Sequence, residues 1–416
     1  MYKSIPGTRD ILPDEVFLWQ EVEDISRGVF ARYNYKECRP PLIEEAALFD
    51  RSLGESSEIV QKQMFLIKNK EELYCLRPEA TASIIRAYIE NSLDKTKGFL
   101  KLYYMGPMFR LERPQKGRLR QFYHIGCEAI GSEAPELDAE VIALADNLLK
   151  SFSIDNYTLK INSLGCSKDR SGLTEGLRDA LKPELSNLCE DCHLRFKKNI
   201  LRILDCKNES CRKVIEKINI SDRHLCPECK EHFSLVKFGL DNLGICYEIT
   251  PRLVRGLDYY TRTVFEISHQ DLGSQDALGA GGRYDNLVKE LGGPQLGAVG
   301  FAFGVERLLL VTKLEGRKAA GEKLVYAISL GDKAKAHSQK LLANLRRNGI
   351  TCDTDYENKS LKGAMRKAND LKARLVLILG EDELRDNTVT LKDMLSGQQK
   401  QVLRDKLIEE IGKAIC

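Results

Sequence analysis

The chain has 416 residues, more than one typical core holds, so two or three domains are expected. Hydrophobic residues make up 43% and charged residues 30%, the ordinary balance of a soluble globular protein. A net charge of +3 excludes a uniformly basic chain, so any nucleic-acid partner must be met by local basic patches.

The start, MYKSIPGTRDILPDE, carries no apolar run of the secretory kind, and no later stretch approaches the length of a membrane span. The expectation is a cytoplasmic chain with no membrane partner. Residues 14–33 read as an amphipathic helix, with Val22, Ile25 and Val29 at helical spacing and Asp14 in the first turn. KECRPPLIE is extended, because its two prolines break a helix. A helix is expected over 78–92, with Pro78 near its start. FLKLYYMGPMFRLE and RLRQFYHIGCEAIG read as the two arms of a long antiparallel hairpin joined through RPQKG. A helix at 136–152 and a strand at 157–162 follow.

Residues 170–238 are basic, helical in tendency and hold three cysteine pairs, so they read as an inserted subdomain. Strand and glycine signals return in RGLDYYTRTVFEI, LGAGGRYDN and GAVGFAFGVERLLLV. LEGRKAAGEK at 314–323 reads as a linker. Beyond it, strands and helices alternate, which predicts a small α/β domain with a largely parallel sheet. The expected division is 1–169, an insertion at 170–238, a continued core at 239–315, and a last domain at 323–416.

Neither a GxxxxGK[ST] loop nor a GxGxxG turn opening a helix is present, so any use of ATP must be of another kind. The hairpin is more informative. Alternation puts Met108, Arg110 and Glu112 on one face of its first arm, and Phe122, His124 and Glu128 on one face of its second. Such a face fits a ligand with phosphate, a flat base and a cationic group. It also fits a solvated sheet face with cross-strand ion pairs. RGLDYYTR, with Arg255, Asp258, Tyr259 and Tyr260, leaves the same two readings open, as does Arg307 beside Glu306 in GFAFGVERLLL.

Together these segments resemble the histidyl-tRNA synthetases, a family of class II aminoacyl-tRNA synthetases. GTRDILPDE resembles the family's N-terminal segment, and RPPLIEE with the preceding helix resembles class II motif 1. FRLERPQKGRLRQFYHIGCE resembles motif 2 and GAVGFAFGVERLLL motif 3. LVRGLDYYTRTVFEI and GAGGRYDNLV resemble the two segments that set histidine enzymes apart. The resemblance spans essentially the whole chain. It implies an α+β fold: a class II antiparallel sheet with flanking helices, a small helical cysteine-containing insertion, and a C-terminal α/β anticodon-binding domain. It also implies a homodimer formed through motif 1, with ATP, L-histidine and tRNA-His as partners and Mg2+ as cofactor.

The implied catalytic residues are Arg110, Arg255 and Arg307. Arg110 holds the α-phosphate and Arg307 the γ-phosphate, while Arg255 stabilises charge in the transition state. Phe122 stacks on adenine, with Glu112 at its edge. Glu79, Ala80, Thr81, His124, Glu128, Tyr259, Tyr260 and Tyr284 form the histidine site together with Arg110 and Arg255. Arg113 and Gln115 face the acceptor end of tRNA. Two positions depart from the family pattern: Ala80 replaces a glycine and His124 a glutamine. A neutral histidine offers one donor and one acceptor, where glutamine offers an acceptor and two donors.

The cysteines carry a separate expectation. Cys189 with Cys192, and Cys226 with Cys229, are two CxxC pairs that could hold one tetrahedral zinc ion. Cys206 and Cys211 are substitutes, and His193, His224 and His232 spare ligands. The alternative is six reduced thiols packing a small core. The insertion's Arg195, Lys197, Lys198, Arg202, Lys207, Arg212 and Lys213 fit either a solvated face or contact with the acceptor arm. Two rival identities fare worse. A regulatory paralogue would lack the last domain and parts of the site. A zinc-ribbon nucleic-acid module would leave the hairpin face unexplained.

Overall fold

The computed structural model describes residues 2–54, 57–218, 224–314, 323–357 and 359–415. The expected linker at 314–323 falls almost wholly outside them. Two compact units divide at Gly316/Arg317.

Among the described residues the first unit has eleven strands: β1 (Lys36–Glu37), β2 (Ile43–Glu45), β3 (Phe65–Asn69), β4 (Glu72–Leu76), β5 (Leu100–Phe109), β6 (Gln121–Ile130), β7 (Tyr157–Ser163), β8 (Glu248–Ile249), β9 (Thr261–His269), β10 (Ala277–Arg283) and β11 (Ala298–Gly304). Eight of them form one sheet in the order β1-β5-β6-β11-β10-β9-β7-β8. The six central strands are antiparallel, and only the short edge strands β1 and β8 pair parallel. The fold is α+β, as expected. β2, β4 and β3 make a second, three-stranded sheet.

Strand alternation divides the large sheet into two unlike faces. On β6, Ile125, Cys127 and Ala129 enter a core with Phe265, Phe301 and Phe303. Helices Pro13–Arg32, Pro135–Ser151 and Pro227–Asn242 contribute Val22, Val141 and Val236 to that core and cover this face. The other face shows Phe122, His124, Gly126 and Glu128. Its neighbours in register are mostly small: Gly106 and Gly304 flank His124, Ala302 lies beside Gly126, and Gly300 beside Glu128. A shallow polar floor is thereby left open along the middle of the sheet.

The insertion has helices Ser167–Leu181, Glu190–Lys198 and Glu209–Lys217 and a tight turn at Ile200–Asp205. Leu177, Leu181, Ile200, Ile203, Val214 and Ile215 pack between them. The helix Pro227–Asn242, assigned to the insertion as far as 238 from composition, buries Phe233, Val236 and Leu240 in the core beneath the large sheet instead.

One buried ion-pair network fixes the sheet to its helices. Arg283, at the end of β10, is wholly buried. Its Nε donates to Asp138 at 2.9 Å, and its terminal nitrogens donate to Asp138, to Asp285 at 3.0 Å, and to the carbonyls of Ser132 at 2.9 Å and Ala134 at 3.1 Å.

The second unit contains β12 (Val325–Ser329), β13 (Cys352–Thr354), β14 (Leu375–Leu379), β15 (Thr388–Asp393) and β16 (Gln399–Leu403), in the order β13-β12-β14-β15-β16. The expected parallel pairing holds for β13, β12 and β14, but β15 and β16 run antiparallel. β16 has no clear signal in the sequence, because QKQVL buries only Val402. β14 is apolar throughout because both of its faces are covered: Leu375, Leu377 and Leu379 enter one core, and Val376 enters the other.

Arg283→Met should lower stability by about 3–5 kcal/mol, because it leaves two carboxylates buried without their cation. Thermal unfolding of the variant would show this, and an unchanged midpoint would contradict it.

Candidate active site

The polar face of the large sheet forms the floor of a cavity of about 390 Å³. Glu79, Thr81, Arg110, Glu112, Phe122, His124, Glu128, Arg255, Tyr259, Tyr260, Tyr284 and Arg307 all line it. The face lies within a cavity, so the reading of a freely solvated sheet surface does not describe it.

One end of the cavity is built around a buried carboxylate. Glu128 accepts hydrogen bonds from Thr81 Oγ1 at 2.7 Å, from the Tyr104 hydroxyl at 3.4 Å, and from the Tyr284 hydroxyl. Burial pushes this carboxyl up to about 8, against the pull of Tyr284 and Thr81. Glycine at 300 makes the arrangement possible, since a Cβ there would overlap the Glu128 carboxylate. Glu79 is buried as well and raised by burial, opposed by the backbone N–H groups of Ala82 and Thr81. These N–H groups donate to it at 2.9 and 2.7 Å and begin helix Thr81–Glu90. The helix therefore starts three residues later than Pro78 suggests, because Glu79 caps it from outside. The Tyr259 ring packs 4.7 Å from Tyr260 and 5.6 Å from Tyr284, centroid to centroid, forming an aromatic wall.

The other end is cationic. Arg110 lies 5.3 Å over the Phe122 ring and donates to the Pro78 carbonyl at 2.9 Å. Burial brings its guanidinium down to about 10, and Arg118 and Arg255 press in the same direction. Arg307 donates to the carbonyls of Gly117 at 2.9 Å and Ala277 at 2.6 Å, which holds it between helix Val305–Val311 and the hairpin turn. Burial, with Arg118 and Arg110, lowers it too. Arg255 pairs with Glu266, and Glu112 with Arg118. His124 lies between the two ends, its ring 5.1 Å from Phe122. Burial, then Arg110, Arg307 and Arg77, push it down to about 3, so it is neutral at physiological pH. Its Nδ1 finds no partner among the described residues.

Three expected residues lie apart from the cavity lining. Ala80 is buried just before helix Thr81–Glu90. Arg113 and Gln115 are exposed in the hairpin turn, where Gln115 and Arg118 pair through their backbones. Other lining residues were not foreseen. Tyr104 shares the face of Met108 by strand alternation and was legible on that ground. Glu266 lies opposite Ala280 on the same face.

Arg195, Arg202, Asp205 and Lys207 of the insertion also line the cavity. Arg202 donates to the Gly256 carbonyl at 2.6 Å, and Asn199 to Asp258 Oδ1 at 2.7 Å. Their role against RGLDYYTR depends on a contact between distant segments, which spacing cannot show. The basic insertion is thus neither wholly a solvated face nor wholly an outward nucleic-acid surface. Lys213 pairs with Glu209 at helical spacing on the exterior, whereas Arg202 is half-buried against the cavity loop.

The expected zinc quartet of Cys189, Cys192, Cys226 and Cys229 does not come together. Cys189 and Cys192 converge with Cys206 and Cys211, and Cys226 and Cys229 with Cys166 and Asp169. The apolar packing of helix Pro227–Asn242 beneath the sheet draws the last pair to the base of the insertion. No histidine joins either group among the described residues. His232 faces Asp138 across 3.6 Å, and His193 is exposed.

An antiparallel sheet of this order, with arginines from three separate segments gathered over its polar face, defines the catalytic domain of a class II aminoacyl-tRNA synthetase. The family model for histidyl-tRNA synthetase matches residues 7–308, and that for an anticodon-binding domain residues 324–414. The histidine–tRNA ligase of Desulforamulus reducens is 45% identical over 406 residues, 97% of each chain. That of Halothermothrix orenii is 43% identical over 416 residues, 99% of each. The crystal structure of apo S. aureus histidyl-tRNA synthetase superposes with a TM-score of 0.82 at 36% identity, covering 99% of this chain and 100% of that one. The chain belongs to the histidyl-tRNA synthetase family.

Gly300→Ala should displace Glu128, destabilise the fold by about 1–3 kcal/mol through overpacking, and abolish activity. Full activity in this variant would show that Glu128 need not hold its observed position.

Proposed function

We propose that the cavity divides the histidine–tRNA ligase reaction between its two ends, with histidine at Glu128 and the triphosphate of ATP at the arginines. In that reaction the histidine carboxylate attacks the α-phosphate of ATP, giving histidyl-adenylate and pyrophosphate, and a ribose hydroxyl at the 3′ end of tRNA then takes the histidyl group, releasing AMP. The α-phosphorus becomes five-coordinate and negative charge builds on its oxygens, so positioning and charge neutralisation carry the catalysis. The observation that supports this reading most is that Arg110, Arg255 and Arg307, from three separate segments, line one cavity with a buried carboxylate at its far side.

In this reading Arg110 and Arg255 meet the α-phosphate and the attacking carboxylate, and Arg307 meets the γ-phosphate. Phe122 stacks on adenine, with Glu112 at its edge. Glu79, Thr81 and Glu128 receive the ammonium and imidazole N–H groups of histidine, and Tyr259, Tyr260 and Tyr284 enclose the ring. Ala80 acts only through the backbone that starts the helix. ATP and Mg2+ go with the family. Glu266, which pairs with Arg255, would help hold Mg2+ at the phosphate end, where the ion would offset phosphate charge.

tRNA-His is the proposed nucleic acid, with Arg113 and Gln115 on the exposed motif 2 turn directed to its acceptor end. The homodimer belongs to the same reading. Ile43 and Ile67 are exposed on one face of the three-stranded sheet and Leu66 and Leu73 on the other, apolar surface that a second copy would cover. So does a cytoplasmic location; among the described residues no helix is long and apolar enough to cross a membrane. A structural zinc ion in the insertion is proposed at Cys189, Cys192, Cys206 and Cys211.

Histidine-dependent exchange of pyrophosphate into ATP tests the reading directly, and its absence from pure protein would refute it. Arg255→Ala should reduce the exchange rate about 10²–10³-fold, the effect of losing one transition-state charge partner. His124→Gln should keep the activity and lower the KM for histidine by up to about tenfold, since the amide adds a donor where His124 leaves Nδ1 unpaired.

Glu128 gives a pH dependence. Its carboxyl titrates near 8, so below that pH it holds a proton that the histidine ammonium must displace. Histidine binding should therefore tighten as pH rises toward 8 and release a proton. Calorimetry in buffers of different ionisation enthalpy would detect that release, and pH-independent binding without it would count against the assignment.

A further inference from the structure

We propose that Cys189, Cys192, Cys206 and Cys211 bind one zinc ion, and that this ion braces the loop carrying Arg255, Tyr259 and Tyr260. The brace rests on the reading of that loop as part of the histidine and ATP site. The zinc site itself does not.

The four Sγ atoms all lie within 4.8 Å of one another. Cys189 Sγ and Cys206 Sγ are 3.8 Å apart. Zn–S bonds of about 2.3 Å in a tetrahedron give an S–S edge of about 3.8 Å, the same separation. Cys192, Cys206 and Cys211 are buried. Cys211 Sγ also accepts the backbone N–H of Cys189 at 3.1 Å, as a metal-bound thiolate would. Four thiolates are a soft donor set that favours zinc over magnesium or calcium. The pairs are spaced as CxxC and CxxxxC, both within the range of structural zinc sites.

The second group, Cys166, Asp169, Cys226 and Cys229, has a simpler explanation. Asp169 accepts the backbone N–H of Cys226 at 2.9 Å and of Cys166 at 3.2 Å. It caps helix Ser167–Leu181 and ties on the start of helix Pro227–Asn242 without any ion. No carboxylate joins the first group among the described residues.

Position gives the first group a consequence. Its two cysteine pairs bracket the segment from His193 to Asp205, so one ion pins both ends of that segment. Within it, Asn199 Nδ2 donates to Asp258 Oδ1 at 2.7 Å, and Arg202 donates to the Gly256 carbonyl at 2.6 Å and to Asp258 Oδ1 at 3.3 Å. Gly256 and Asp258 lie between Arg255 and Tyr259. A pinned segment holds this loop against the cavity, while a released one frees both anchors at once. The metal thereby acts on histidine and ATP binding through this segment, and Asn199, which lies outside the cavity lining, is a positioning residue.

The test begins with the full chain purified without chelator. Metal analysis should find about one zinc per chain, and Cys206→Ser should lose it. A zinc content below about 0.1 per chain, or disulfides among these four cysteines, overturns the site. Asn199→Ala should retain zinc yet raise the histidine KM in pyrophosphate exchange roughly fivefold, with kcat changed less. Wild-type protein stripped of zinc should show the same KM shift and a lower melting temperature. If zinc is present but Asn199→Ala and the stripped protein keep the wild-type KM, the brace is overturned while the site stands. A zinc-loaded chain with no exchange at all overturns the reading of the cavity, and the brace with it, yet supports the site.

Discussion

The buried guanidinium of Arg283 sets the terms for the first unit. A cation without solvent must have its donors satisfied, and here they reach Asp138, Asp285 and the carbonyls of Ser132 and Ala134. These partners belong to helix Pro135–Ser151, the turn before it, and the chain just beyond β10. The network therefore fixes the end of β10 against the helix layer in one register. Tyr284, the next residue, lies on the cavity side and donates to Glu128. A one-residue slip of β10 would exchange the two, leaving the cation in the cavity and the phenol among helices. A structural ion pair on one side of the sheet thus decides where a hydroxyl points on the other.

The same division governs the charges. Apolar side chains of β6 and β11 face the helices, and His124 and Glu128 of β6 occupy the other face. Small residues at 106, 126, 300, 302 and 304 keep that face low, and the walls come from elsewhere: Glu79 and Thr81 from a helix start, Arg255 to Tyr260 from a loop, Arg307 from the motif 3 helix. The walls are unbalanced in charge. Arg110 disfavours the charged state of Arg307, and Arg118 and Arg255 that of Arg110, whereas Glu128 sits high enough to hold a proton. A cavity that disfavours its own cations and its own anion is relieved by a ligand with phosphate at one end and an ammonium at the other.

What could be read from the sequence follows from how local each signal is. The hairpin, the helix Pro13–Arg32 and the alternating pattern after 323 depend on residues near one another in the chain, and they stand almost as expected. Arg110, Phe122, His124 and Glu128 were legible because one hairpin carries them all at strand spacing. Tyr104 obeyed the same rule and could have been included. β16 escaped because an edge strand with one buried residue has no period to detect. Asn199, Arg202 and Glu266 escaped for a different reason: nothing in their own neighbourhoods marks them, and only contacts with distant segments give them a place.

The cysteines show the limit most sharply. A CxxC spacing says that two thiols share one ion's reach; it is silent about which other pair completes the tetrahedron. Three pairs in the insertion allowed more than one quartet, and the choice was made by packing elsewhere. Phe233, Val236 and Leu240 bind the helix after Cys226 and Cys229 to the core under the sheet. That apolar seam holds the last pair at the base of the insertion, where Asp169 takes up its backbone. The remaining four thiols close on one another at its far end, beside the segment that reaches Asp258. The hydrophobic face of a helix thus determines which cysteines can share a metal, and through Asn199 and Arg202 it bears on how firmly the cavity loop is held.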